Sequence, residues 1–259
     1  MNNNSTESYK IDRVKNNESS QINDLIIKET PLLVIVNQNK LVSLMALPEK
    51  LKELTIGWLA SENIIENINE IKYLHLSEDK TIINVNLKKD IDCRQFQTRT
   101  ITSGCAKGST FNNKEYIKDQ IADRSISIKS NMINKMMADM QEKALYFNKT
   151  GGTHTAALGN KNKLLYVIED IGRHNTIDKI IGKALLKSLN LNDKIILTSG
   201  RVSSEIINKI SRQEIPILIS RSAPTSTAID LARQRNITLI GFTRGSRYNI
   251  YNDQKRILF

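Results

Sequence analysis

Between residues 24 and 47 the chain alternates short apolar runs with polar breaks. DLIIKE, PLLVIVNQ and LVSLMAL are rich in β-branched and aliphatic side chains, which predicts strands, with Asn39-Lys40 as a hairpin tip. Over 48–61 the period changes. Leu51, Leu54, Ile56 and Leu59 fall at helical spacing behind Pro48, which predicts a helix. IKYLHLSE and TIINVNLKK then alternate as two antiparallel strands around Glu78-Asp79-Lys80, with His75 at the surface or edge and Trp58 as a packing aromatic. Ile126, Ile128, Met132, Ile133, Met136, Met137, Met140, Ala144 and Leu145 recur at helical spacing and predict one helix over about 126–147. The methionines in this stripe read as core packing.

Beyond that helix a repeating unit appears. LLYVIED, KIILTS and IPILIS each precede an amphipathic segment: Ile177 to Leu185, Ser203 to Arg212, and a helix beginning near Pro224. ITLIGF closes the series. Strands alternating with helices of this length imply crossovers and a largely parallel sheet. The fold class expected is α/β. A loose tail is expected over 1–22, a strand-rich part over 23–113, and an α/β part over 114–259. Residues 1–22, beginning MNNNSTESYK, hold few large apolar side chains and no secretory apolar core.

In such a sheet the loops leaving the carboxyl ends of the strands gather at one edge and feed helix N-termini. Here they read EDIGRHN, TSGRVSS, SRSAPTS and FTRGSR. Each carries arginine: Arg173, Arg201, Arg221, Arg244 and Arg247. Unpaired helix N–H groups with arginine beside them suit phosphate oxygens. Taken singly, the Ser and Thr residues are better read as helix caps and the arginines as solvated. Four loops in register favour an anion site for a phosphorylated, nucleotide-like ligand. His174, amid Asp170, Asn175 and Asp178, is either an acid–base group or a loop-fixing residue held by Asp170 or Asp178. His154 follows Gly151-Gly152, a pair that permits a tight turn or close backbone approach to a ligand.

Net charge, +11 over 259 residues, makes an anionic partner plausible but suits an evenly spread soluble surface as well. No dense basic patch interleaved with aromatics speaks for nucleic acid. No apolar run approaches the roughly 20 residues that span a bilayer. The cytoplasm is therefore the expected compartment. There are two cysteines, Cys93 and Cys105, too few for a structural zinc site or a disulfide framework. Cys105 lies in the polar stretch Ser103-Gly104-Cys105-Ala106-Lys107-Gly108, with Arg99 upstream. Basic neighbours favour the thiolate, the nucleophilic form, so Cys105 is either reactive or an ordinary buried thiol. Cys93 sits by Asp92 and is read as structural.

Taken in order, TSGCAKG, TGGTHTAAL, EDIGRHNTIDKIIG, TSGRVSSEI, SAPTSTAIDLA and GFTRGSRYNIY resemble the successive motifs of the formate dehydrogenase accessory sulfurtransferases. A weaker likeness from about Glu29 to Glu62 extends the resemblance over about 29–257. It implies a protein that accepts sulfur from a cysteine desulfurase as a persulfide on Cys105. It further implies delivery of that sulfur to bis-molybdopterin guanine dinucleotide, the molybdenum cofactor, before that cofactor enters formate dehydrogenase. The resemblance also implies a cytidine-deaminase-like C-terminal fold and a cofactor segment at Phe242, Thr243, Arg244, Gly245, Ser246 and Arg247. From the residues themselves, His154, Arg173, His174 and Arg201 are expected to position that cofactor or assist proton movement. The family's members often pair, so a homodimer is compatible with it. No resident protein-ligated metal is implied.

Many members carry C-x-x-C in the loop. Here Gly108 takes the second position, so any mechanism needing two loop thiols is in doubt. Two other functions fit parts of the pattern. A zinc deaminase would need a Glu two residues after its ligand and a P-C-x-x-C. His154 is followed by Thr155 and Ala156, and no P-C-x-x-C occurs, which excludes that chemistry. A cofactor-binding chaperone would use the same anion edge but would have no need of Cys105.

Overall fold

In the computed structural model residues 5–91, 99–101 and 126–259 are described, 99–101 by backbone alone. Cys93 and Cys105 lie outside these residues. Strands β1 (Thr6–Lys15) and β2 (Glu18–Ile27) pair antiparallel from Thr6↔Ile27 to Lys15↔Glu18. The stretch expected to be a loose tail through residue 22 is thus a two-stranded ribbon from Thr6 onward. Its turn explains the difference. Asn16 and Asn17 take φ of 51° and 65°, the left-handed pair that matches strand twist and that asparagine tolerates. Asn37 and Gln38, at φ 45° and 69°, repeat the device between β3 (Thr30–Val36) and β4 (Asn39–Ala46). The turn therefore precedes the expected Asn39-Lys40 tip, and both of those residues belong to β4.

After α1 (Leu51–Ser61) come β5 (Ile71–Leu76), β6 (Ile82–Leu87) and β7 (Arg99–Ile101), completing a five-stranded sheet ordered β5-β6-β3-β4-β7. His75 is exposed on the edge strand β5, its ring stacked on Tyr73. The single helix expected over 126–147 is instead β8 (Ile128–Lys129), α2 (Ser130–Glu142) and α3 (Leu145–Thr150). Restarting at Leu145 lets the Glu169 carboxylate accept from the N–H groups of Tyr146 and Phe147, at 3.0 and 2.7 Å. A carboxylate at a helix N-terminus is favourable.

The C-terminal half contains β9 (His154–Gly159), β10 (Leu164–Asp170), α4 (Arg173–Leu186), β11 (Ile195–Thr198), α5 (Ser204–Arg212), β12 (Ile217–Ser220), α6 (Ser226–Gln234), β13 (Thr238–Arg244), β14 (Arg247–Asn252) and β15 (Ile257–Leu258). Its sheet has six strands ordered β10-β9-β11-β12-β13-β14. Only β11, β12 and β13 are mutually parallel neighbours; β9 runs antiparallel to both β10 and β11, and β14 antiparallel to β13. The fold is α/β with a mixed sheet, rather than the largely parallel one expected, because β9 and β14 add two reversed strands.

Alternate strand residues face opposite layers. Ala156, Leu158, Ile196, Leu218 and Leu239 pack with α4, α5 and α6 in a core that continues through α1 to the N-terminal sheet. Ala157, Ile195, Leu197, Ile217 and Ile240 face α2, against Ile133, Met136, Met137 and Met140. No helix among the described residues is long and apolar enough to cross a membrane.

Helices α1 and α4 approach at two glycines. A Cβ on Gly57 would lie 1.7 Å from the carbonyl oxygen of Asp178, and one on Gly182 would lie 1.9 Å from that of Glu53. Two buried ionic clusters flank this seam. Asp170 pairs with Lys179 at 2.5 Å, both fully buried. Asp170 also accepts from the N–H groups of Leu47 and Gly172 and from Asn175 Nδ2, while Lys179 donates to the Leu47 carbonyl. Asp178 accepts from Lys209 at 2.9 and 3.0 Å and from the Ser61 hydroxyl at 2.7 Å, with Glu62 at 3.5 Å from Lys209. Burial would lower the Lys209 pKa, but Asp178 and Glu62 reverse this and hold it above the usual value.

Candidate functional site

Because β9 runs against its neighbours, its first residue sits where β10 and β11 end. His154 pairs with Asp170, and Ala156 with Thr198. The ends of β12 and β13 complete the same edge, and α4, α5 and α6 begin there behind Gly172, Ser203 and Thr225. The edge expected from the strand–loop–helix pattern is therefore present, with His154 added to it by a strand that sequence periodicity did not reveal.

The loops are laced together rather than independent. Ser199 N–H donates to the Thr155 carbonyl and Arg221 N–H to that of Thr198, both at 2.9 Å. The Ser220 hydroxyl donates to the Gly200 carbonyl at 2.8 Å and accepts from Ser222 N–H at 2.9 Å. Arg244 Nε donates to the Arg221 carbonyl at 3.2 Å, tying the β13–β14 hairpin to this lattice. Of the Ser and Thr residues on the edge, Thr225 caps its helix, accepting from Ala228 N–H, whereas Ser220 joins loops. The capping reading thus holds for Thr225, while Ser220 has a use that the sequence did not suggest.

Below the edge lies a cavity of about 340 Å³. His154, Thr155, Ser199 and Arg221 form its polar wall, and Met140, Ala144, Phe147 and Ile171 its apolar wall. Gly151 and Gly152 close the rim. Ser199 Oγ accepts from Thr155 N–H at 3.0 Å and lies 3.3 Å from His154 Nδ1, which leaves Nε2 as the ring nitrogen without a partner in this pair. Burial, with the charges of Arg173 and His174, holds the His154 pKa below the ordinary value, so the ring is neutral at pH 7. The site thus offers a neutral imidazole beside a guanidinium. Such a pair suits a ligand with an oxygen acceptor and an apolar or aromatic body.

His174 has a partner that its neighbours in the chain did not disclose. Nε2 lies 3.0 Å from Glu205 on α5, and Ser203 Oγ lies 3.5 Å away; neither Asp170 nor Asp178 contacts it in the manner expected. The hydrogen bond with His174 holds the Glu205 carboxyl below the usual carboxylate range. Asp170, Asn175 and Asp178 all turn inward to the helix seam, so the acidic part of EDIGRHNTIDK is scaffold.

Among the other named residues, Arg201, Arg244, Gly245, Ser246 and Arg247 are exposed, and Arg173 is half-buried, its stem against Gly200. Phe242 has φ 51°, a conformation unusual for an aromatic residue, and its ring lies under the Arg244 guanidinium at 5.8 Å. Thr243 is fully buried, with a hydroxyl that lacks a hydrogen-bond partner among the described residues. The 242–247 hairpin and His154 share the edge, and of the named residues His154 and Arg221 line the cavity. Ser199, Phe147 and Met140 line it without having been singled out. The Gly151-Gly152 pair was the one sequence signal beside them. The cysteine named as the sulfur carrier, Cys105, lies outside the described residues.

The FdhD/NarQ family pattern matches residues 27–258. A relative from Bacillus licheniformis is 40% identical over all of both chains, and one from Bacillus subtilis is 40% identical over 95% of each. A third, from Bacillus pumilus, is 41% identical over 90% of each. All three bear the name sulfur carrier protein FdhD. Among solved structures, one described as a formate dehydrogenase accessory protein from Desulfotalea psychrophila superposes with a TM-score of 0.79. It is 24% identical and covers 98% of this chain and 100% of its own, a likeness of fold.

Proposed function

Because the chain belongs to the FdhD/NarQ family, we propose that it is a sulfur carrier required for formate dehydrogenase maturation, with Cys105 as the carrier thiol. The observation that supports this most is the match to relatives named sulfur carriers along the whole length of both chains. On this reading the protein is a sulfurtransferase of the cytoplasm. The Cys105 thiolate attacks the terminal sulfur of a persulfide on a cysteine desulfurase. The donor's S–S bond breaks, the donor leaves as a thiolate, and Cys105 holds the sulfur as a persulfide. No second loop thiol is needed, in keeping with Gly108.

The recipient substrate on this reading is bis-molybdopterin guanine dinucleotide. Three helix N-termini and the arginines of the strand-end loops fit its phosphates, and the cavity with its neutral His154 fits a planar group bearing a carbonyl. Arg173, Arg201, Arg244 and Arg247 would bind the phosphates, while His154 would meet the ligand through Nε2 and orient it. A cytidine-deaminase-like origin of the C-terminal layer belongs to the same proposal.

The test is maturation of formate dehydrogenase in cells that lack the native protein. Cys105→Ala is expected to abolish maturation while binding of a guanine nucleotide persists. Full maturation by Cys105→Ala would overturn the carrier role and leave a cofactor-binding chaperone.

A further inference from the structure

The apolar wall of the cavity stands on a weak support. Helix α3 has six residues, too few to hold a helix by backbone bonds alone. Of its side chains only Tyr146 is buried, while Leu145 and Phe147 are 56% and 40% exposed. Ala144, at its N-cap, supplies no side-chain acceptor. Apolar packing therefore does not fix where α3 sits. Yet this helix and the turn after it furnish Phe147, Asn148, Gly151, Gly152 and Thr153 to the cavity.

Polar contacts supply what packing does not. On β10, Ile168 and Asp170 face α4, whereas Val167 and Glu169 face the layer of α2 and α3. Glu169 Oε1 accepts from Phe147 N–H at 2.7 Å and from the Thr153 hydroxyl at 2.9 Å. Its Oε2 accepts from Tyr146 N–H at 3.0 Å. One half-buried carboxylate thus grips both ends of the segment, the start of α3 and the residue before His154. It also satisfies two orphan N–H groups at the positive end of the helix. The Thr150 hydroxyl donates to the Tyr146 carbonyl and accepts from Gly152 N–H, which shapes the turn between. The Tyr146 hydroxyl, donating to Glu49, is a second tether. Glu169 itself does not line the cavity.

We propose that Glu169 is a positioning residue of the cavity: it holds α3 and Thr153 together, and so keeps Phe147 in the wall against which a planar ligand group packs. That such a group binds there rests on the function proposed above; the clamp itself does not depend on it. Glu169 and Asp170 then divide one strand end between them, the first holding the cavity wall and the second the helix seam.

The test combines binding of guanosine and of inorganic pyrophosphate with amide hydrogen exchange, all on the full chain. Glu169→Ala should weaken guanosine binding roughly tenfold, about the worth of one charge-assisted hydrogen bond, and leave pyrophosphate binding unchanged. Glu169→Gln keeps one acceptor oxygen but sets an amide group against a backbone N–H, so its loss should be smaller, roughly threefold. The Tyr146 and Phe147 amides should exchange faster in both variants. Amides of α4 and β11 should exchange as in wild type, because the helix seam is untouched. Guanosine bound by Glu169→Ala as tightly as by wild type would overturn the proposal, as would an equal loss for pyrophosphate. So would unchanged exchange at Tyr146 and Phe147, or loss of protection throughout the fold. A wild-type chain that binds no guanosine would overturn the ligand reading alone, and the exchange rates would then decide the role of Glu169.

Discussion

Two faces of helix α4 put the same kinds of side chain to opposite use. Along the seam with α1, the charges of Asp170, Lys179, Asp178 and Lys209 meet partners inside the protein, and glycine backbones touch. At the strand-end edge, one turn from the same helix start, Arg173 and His174 lie on the half-buried rim, and the neighbouring His154 is held neutral beside a cavity. A run such as EDIGRHNTIDK is therefore two texts read at helical spacing. One set of residues fixes where the helix sits, and the other faces what binds. Charged residue types alone do not mark chemistry; the face they occupy does.

The largest effect should come from breaking the seam. Lys179→Met leaves the fully buried Asp170 carboxylate without its cation, and urea unfolding should show a loss of about 3–5 kcal/mol. A loss below about 1 kcal/mol would mean that the seam is not the rigid partner in this comparison. Gly57→Ala comes next. The added methyl meets a backbone carbonyl that no rotamer change can move, so the helices must part, at a cost of about 1–3 kcal/mol.

At the edge the effects on stability shrink while those on binding grow. His154 has its folded pKa lowered, so its contribution is complete above the unfolded value of about 6.5 and is lost as pH falls through that value toward the folded one. Its ring resonances should titrate with a midpoint below about 6.5, and Arg173→Gln should move that midpoint up by removing one of the charges responsible. Arg244→Ala and Arg247→Ala, at exposed positions, should alter unfolding by no more than about 0.5 kcal/mol. Both should nonetheless weaken binding of a guanine nucleotide, with the loss largest at low salt.

Much of this contrast was legible in the sequence. The strands KIILTS, IPILIS and ITLIGF were readable from β-branched runs, and the edge from loops rich in Arg and Ser that come after each strand. What escaped depended on pairing across space. Thr-His-Thr-Ala-Ala-Leu reads as the tail of a glycine turn, and only its place between β10 and β11 makes it a reversed central strand that brings His154 to the edge. Glu205, the partner of His174, lies on a different helix, and no local spacing connects the two. The ribbon was missed because its signal is a turn, Asn16-Asn17, rather than an apolar run.

The proposed chemistry turns on Cys105 as the residue that carries sulfur. Intact-protein mass spectrometry after incubation with a cysteine desulfurase and cysteine, with Cys105→Ala alongside, tests this most directly. The wild-type chain should gain one sulfur atom that a reductant removes, and the variant should gain none. A gain that survives in Cys105→Ala, or no gain in either protein, would contradict it.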